Sequence, residues 1–136
     1  MTMRRSLFIT AVGPLAAFAM MVLTAPPAAA HHSFDAEYDA NRTATLTGIV
    51  TKVDWTNPHA YIHFTFEDKN GKEQEFAIEL GPPYALVRGG WKRDTVKIGD
   101  KITIEKAALS KDGTNRAGAT RDTSLILASG EKLVMR

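Results

Sequence analysis

Histidines carry most of the candidate chemistry in this sequence, and the four of them fall in two places: His31-His32, and His59 with His63. Imidazole is the commonest metal-binding side chain. If the chain is cut after Ala30, His31 presents a free α-amine and an imidazole on one residue. Those two groups chelate a single ion, and an imidazole from elsewhere completes the T-shaped nitrogen site called a histidine brace. Nitrogen donors in a tetragonal arrangement suit copper(II) best among the divalent first-row metals, with zinc as the next candidate. The α-amine, with an ordinary pKa of about 7.7–8.0, loses its proton at mild cost when metal binds. Two other readings stay open. His31 and His32 can wrap copper alone, through amine, amide and imidazole nitrogens. They can also be two solvated histidines at a polar terminus.

The third ligand is a choice between His59 and His63. Four residues of extended chain span roughly 13 Å, so the two cannot share one ion without a kink. His59 follows Pro58 in a turn, where an arriving terminus reaches it easily, and is favoured on that ground. His63 lies mid-strand with Glu75 and Glu79 nearby and is the better electrostatic partner for a cation. The metal candidates are therefore His31, His32, His59 and His63.

Catalytic constellations are not found. The sequence has no cysteine, no G-x-S-x-G and no H-E-x-x-H. Gly89-Gly90 lacks the strand-to-helix context of a phosphate loop. Glu75 and Glu79 are separated by roughly 13 Å of strand, too far for a glycosidase pair. Trp55, Tyr84 and Trp91 stand beside glycine and proline turns, where aromatics usually plug a core with a hydrogen-bonded edge. These absences point to a non-enzymatic binding module.

The elements that must position these residues are mostly strands. Residues 45–55 read as a first strand, with a bulge expected at Gly48. Residues 60–68 alternate, with Ile62, Phe64 and Phe66 on one face and Tyr61, His63 and Thr65 on the other. Residues 73–80 alternate again, with Phe76, Ile78 and Leu80 inward. Both inward sets occupy even positions, so a three-residue loop Lys69-Asn70-Gly71, with Gly71 left-handed, brings the two faces into register. It pairs His63 with Ala77, Tyr61 with Glu79 and Thr65 with Glu75, leaving Tyr61, His63, Glu75 and Glu79 on an outer face. About one helical turn is expected at 84–88, ended by Gly89-Gly90-Trp91. A strand follows at 101–109, then a polar loop at 110–121, then strands at 123–128 and 132–135.

Three strands, a short helix and two strands is the element order of an OB-fold, a five-stranded Greek-key barrel. The expected fold class is all-β with one short helix. OB-folds bind on strands 2 and 3 and the neighbouring loops. The expected ligand face is therefore Trp55, His59, Tyr61, His63, Lys111 and Arg116.

Residues 1–30 have the form of a signal peptide: Arg4-Arg5, an apolar stretch from Leu7 to Leu23, and Ala28-Ala29-Ala30 as the cleavage site. The apolar stretch, broken by Gly13-Pro14, is at the lower limit for a bilayer span, so no stable anchor is expected. Arg4-Arg5-Ser6-Leu7-Phe8 also resembles a twin-arginine signal, which would export a folded domain. The expected organisation is a signal at 1–30, an extended segment at 31–43 and the β domain at 44–136, located in the periplasm. The net charge of +2 comes entirely from Arg4 and Arg5. Without them 15 acidic residues balance the remaining basic ones, so no nucleic-acid partner is expected. With no disulfide available, a core of about a hundred residues holds the fold alone.

His31-His32-Ser33-Phe34, Val53-Asp54-Trp55-Thr56-Asn57-Pro58-His59, Gly81-Pro82-Pro83-Tyr84-Ala85-Leu86, Arg88-Gly89-Gly90-Trp91 and Lys111-Asp112-Gly113 together resemble a family of small exported bacterial proteins, domain of unknown function 6152. The resemblance spans nearly all of the chain after residue 30. Thr56 stands where an aliphatic residue is expected. The resemblance implies export and no established activity, so it supplies no site residues. The function expected is a non-catalytic periplasmic module that binds a protein or small ligand, or alternatively a copper protein built on His31.

Overall fold

A computed structural model describes residues 34–136, which belong to one compact unit. About half of them lie in strands, with two short helices. The chain opens with α1 (Phe34–Glu37) and passes directly into β1 (Tyr38–Asp54), followed by β2 (Tyr61–Glu67), β3 (Glu73–Glu79), α2 (Pro83–Arg88), β4 (Lys101–Ser110), β5 (Arg116–Gly118), β6 (Ser124–Leu127) and β7 (Lys132–Val134).

The strands pair in the order β1-β2-β3-β5-β4, and β4 returns to β1, which closes a ring of five. All neighbours are antiparallel except β3 and β5. The interior is filled from every strand: Val50, Ile62, Phe64, Phe76, Ile78, Ile102, Ile104, Ala117, Leu125 and Leu133 are all buried. Phe64 and Phe76 face each other across the β2–β3 pair with ring centroids 5.6 Å apart.

The β2–β3 hairpin has the register that the even-position pattern requires, with Tyr61 opposite Glu79, His63 opposite Ala77 and Thr65 opposite Glu75. Gly71 takes φ +74° in its loop, and the Asp68 and Lys72 backbones close the turn. His63 stays outside the core, as the alternation demands. Phe66, expected inside, is only partly buried and packs on the core's margin. The helix expected near residue 84 is α2, with proline in its first turn, Leu86 buried beneath it and Gly89 at its end. Trp91 then plugs the core, and its indole donates to the Val134 carbonyl at 2.7 Å.

Four features depart from the expectations. The segment before residue 45 is not a lead-in: it forms α1 and the first part of β1, whose Tyr38 pairs with Ser110. No register shift occurs at Gly48. The shifts lie between Asp39 and Thr43, between Ala44 and Leu46 and between Val50 and Lys52, while Gly48 is required because a Cβ there would strike the Thr65 carbonyl. The fifth strand of the ring is β5, inside the expected polar loop, rather than residues 123–128. Those residues form β6, which pairs with the first half of β4 and with β7. One edge of β4 serves two strands because Lys106, at φ 55°, bends it between Glu105 and Ala107. Ile102–Glu105 pair with β6, and Ala108 and Leu109 pair with β5.

Gly118 of β5 also admits α1 to the outside of the ring. A Cβ at that position would strike the rings of Phe34 and Tyr38, whose centroids lie 5.0 Å apart with the planes tilted by 43°. Tyr38 is 2% exposed. This aromatic pair covers the end of β3, and with that the fourth departure appears: Glu79, expected on an outer face, is 4% exposed.

Candidate functional site

Glu79 is the centre of the arrangement. It ends β3, opposite Tyr61, and its carboxylate is enclosed by side chains from three directions. Tyr38 of β1 donates its phenol to Oε2 at 2.9 Å. His59 brings Nδ1 to 2.7 Å from Oε1. Burial and the nearby Glu79 carboxylate raise the Tyr61 phenol above its usual range. The same two causes hold the Tyr38 phenol protonated far above the ordinary tyrosine value, against the opposing pull of Arg116. A buried carboxylate is tolerable only with such a set of donors.

Backbone bonds fix His59 where it can reach Glu79. Ala60 donates to Gly81 and accepts from Leu80, so the ladder of β2 and β3 continues one step beyond the strands. Thr56 Oγ1 donates to the His59 carbonyl at 3.2 Å. The imidazole is thereby held at the strand ends, at 30% side-chain exposure. It lines a cleft of about 170 Å³ together with Phe34, Glu79 and Arg136. The Arg136 guanidinium lies 5.2 Å from the centre of the Phe34 ring.

Behind Tyr38 stands Arg116, placed by β5 beside Ala77 of β3. Its Nη2 donates to the Tyr38 oxygen at 3.1 Å and to Glu37 Oε2 at 3.3 Å. The guanidinium also lies 5.9 Å from the Tyr38 ring centre. Glu37, Arg116, Tyr38, Glu79 and His59 thus form one continuous polar chain that runs from the surface to the cleft.

His63 belongs to a different group. Its Nε2 is 3.1 Å from Asp54 Oδ2 and its Nδ1 is 3.7 Å from Glu75 Oε1. Lys52 Nζ meets the same Asp54 oxygen at 2.8 Å. The Lys52 contact first, and the His63 contact after it, lower the Asp54 carboxyl below its ordinary value.

The structure therefore divides the ligand face expected from sequence. His59, Tyr61 and Arg116 converge on Glu79. His63 sits with Asp54 and Glu75. Trp55 packs on the core's edge and lines a separate hollow with Asp54 and Arg93. Lys111 donates to the Asp35 carbonyl beside Arg116, over another hollow that includes Asp112. Hydroxyl bonds from Ser110 and Thr114 bring the Asp112 carboxyl down to about 2. His31 and His32 lie outside the described residues. Among the described residues, no group of three or more His, Cys, Asp or Glu side chains is placed to hold a metal ion, and no helix is long and apolar enough to cross a membrane.

A protein-family model described as a family of unknown function, DUF6152, matches residues 19–120. The chain belongs to the DUF6152 family. No curated protein and no solved structure matches it. The DUF6152 match takes in His31, His59, Glu79, Arg116 and both aromatic residues of the α1–β1 junction, and stops before β6. The polar chain thus lies wholly within the DUF6152 region, whereas Arg136 on the cleft wall lies beyond it.

Sequence reasoning missed Glu79 as a buried centre, and with it Glu37, Tyr38, Phe34 and Arg136. A usable signal existed. Ala117-Gly118-Ala119 is a run of small residues inside a polar segment, and such runs mark places where another part of the chain comes close. Phe34 and Tyr38, four apart in an otherwise polar stretch, were the natural occupants.

Proposed function

We propose that this DUF6152 protein is an exported, non-catalytic binding module with an OB-like barrel, and that its ligand is copper(II) held at the cleft beside His59. The five-strand ring, with a helix between β3 and β4, supports the OB-like reading. Export to the periplasm is supported by Arg4-Arg5, the apolar stretch and Ala28-Ala29-Ala30. In this reading, cleavage after Ala30 makes His31 the first residue, and its amine and imidazole supply two nitrogens.

The observation that carries the copper reading is the contact between the His59 imidazole and the buried Glu79 carboxylate at 2.7 Å. Metal-binding histidines characteristically direct their second ring nitrogen to a carboxylate, which orients the ring and raises its basicity. His59 has that partner and faces a cleft. The same cleft is also lined by Phe34. His63 has a carboxylate near each of its nitrogens.

The test is a copper(II) competition titration of protein purified from the periplasm, alongside a variant that retains one residue before His31. Intact mass should place the amino terminus at His31, and the native protein should bind one copper(II) far more tightly than the extended one. Binding should also weaken as pH falls and the amine and imidazoles take up protons. Equal affinity in the two proteins would eliminate the brace. A mass that retains Met1 would remove both export processing and the free amine.

A further inference from the structure

Between β3 and β4 the chain carries two sets of apolar side chains with opposite fates. Leu86, Trp91 and Val96 are buried and serve the core. Tyr84, Val87 and Ile98 are all more than half exposed, Ile98 the most at 72%. Tyr84 and Val87 are three apart on α2, so they share a helix face that the core does not use. Ile98 belongs to the tight turn that leads into β4, where the Lys97 amide donates to the Asp100 carboxylate at 2.8 Å and Gly99 takes φ +91°. Among the described residues the other large apolar side chains left exposed are Ile49 and Val134, and both adjoin the same connection. Ile49 lies opposite Lys101 and precedes Val50, whose amide and carbonyl bond to Asp100 and Gly99. Val134 offers its carbonyl to the Trp91 indole. Exposed apolar residues scattered singly need no explanation, whereas a set gathered along one segment does.

Charge is gathered there as well. Residues 84–101 hold five cations, Arg88, Lys92, Arg93, Lys97 and Lys101, against two acids. All five are exposed, and none forms an ion pair among the described residues. Elsewhere Lys52, Arg116 and Lys132 sit on carboxylates. The overall balance of charge after residue 30 thus hides a locally basic strip. On α2 the Arg88 guanidinium lies 5.8 Å from the Tyr84 ring centre, which sets a cation and an aromatic ring together on an exposed face.

We propose that this strip docks the protein on the surface of an anionic phospholipid bilayer. Interfacial binding combines burial of apolar side chains with electrostatic attraction to anionic lipid. Lysine and arginine suit it because their stems lie along apolar surface while their charged heads stay in water, and tyrosine favours the headgroup level. An acidic protein would meet the same cations, but protein interfaces are depleted in lysine, and Lys92, Lys97 and Lys101 make up most of this strip's charge. The docking is peripheral, and it does not depend on the copper reading: none of these residues lines the cleft at His59.

Co-sedimentation of the mature protein with vesicles, without added copper, tests this. The protein should bind vesicles of phosphatidylglycerol and phosphatidylethanolamine, bind them less as salt rises, and ignore vesicles of phosphatidylcholine alone. Lys97→Ala and Lys101→Ala should each weaken binding by about fivefold, the share of one cation near an anionic surface, and Ile98→Asp by more. Lys69→Ala combined with Lys72→Ala removes two exposed cations from the turn between β2 and β3 and should leave binding unchanged. Because every substituted side chain is exposed, urea midpoints should stay at the native value. Failure of the native protein to bind the anionic vesicles, equal binding to phosphatidylcholine, or an equal loss in the Lys69 and Lys72 variant would overturn the proposal. So would self-association without lipid that Ile98→Asp abolishes, read by sedimentation velocity, because the strip would then serve a second copy of the chain.

Discussion

His59 and His63 are four residues apart, and each stands next to carboxylates, yet their settings differ in what covers those carboxylates. The partner of His59 is Glu79, 4% exposed under Tyr38 and Phe34. The partners of His63 are Asp54 and Glu75, whose side chains are 29% and 68% exposed. Water competes for both of the latter and screens them, so such contacts are weak and mobile. A buried carboxylate has no such competitor and holds its partner in one orientation. An acidic neighbour by itself does not hold a histidine ring in one orientation. Burial of that neighbour does.

The largest effect comes from breaking the platform common to both histidines. Phe64, adjacent to His63 and on the opposite face of β2, is fully buried. Phe64→Ala should cost about 3–5 kcal/mol, read by urea unfolding. A loss below about 1 kcal/mol would mean that β2 does not carry the core in this register.

Next in size is the difference in metal affinity. His59→Ala should weaken copper(II) binding by about 100-fold or more, since loss of a ligand exceeds loss of its outer-shell partner. His63→Ala should leave the affinity within about threefold, a change of less than 1 kcal/mol. The reverse ranking in a competition titration would exchange the roles of the two residues.

The two flanks should also respond at opposite ends of the pH scale. Asp54 is lowered from 3.8, so its contribution to stability is present above that value and fades as pH falls through the lower folded value. Tyr38 is raised from 10.0, so its contribution is complete below that value and fades as pH rises beyond it. Denaturant titrations across pH should show that Asp54→Asn flattens the acid side alone and Tyr38→Phe the alkaline side alone. A change on the same side in both variants would contradict the division. The smallest effect expected is on stability: His63→Ala should change it by no more than about 1 kcal/mol, as for exposed ion pairs.

Legibility in the sequence followed the same division. The His63 side could be read because a strand's alternation and a three-residue turn fix which residues are opposed, and the pairs Tyr61–Glu79 and His63–Ala77 follow from parity alone. What alternation cannot tell is what lies over a face. Alternation alone places Glu79 on a solvent face, because nothing in β3 announces that Tyr38 of β1 lies against it. The strand that completes the ring, Arg116–Gly118, is only three residues long and owes its conformation to β3 on one side and β4 on the other. Lys106 bends β4 through a left-handed conformation that its residue type does not advertise. These are tertiary choices, and local pattern carries little trace of them.

Pulsed electron paramagnetic resonance of copper(II)-loaded mature protein is decisive for the proposed copper site, because it counts bound imidazoles through their remote nitrogens. The native protein and His63→Ala should show the same two coordinated imidazoles, from His31 and His59, and His59→Ala should show one. Loss of an imidazole in His63→Ala, or none lost in His59→Ala, would contradict it.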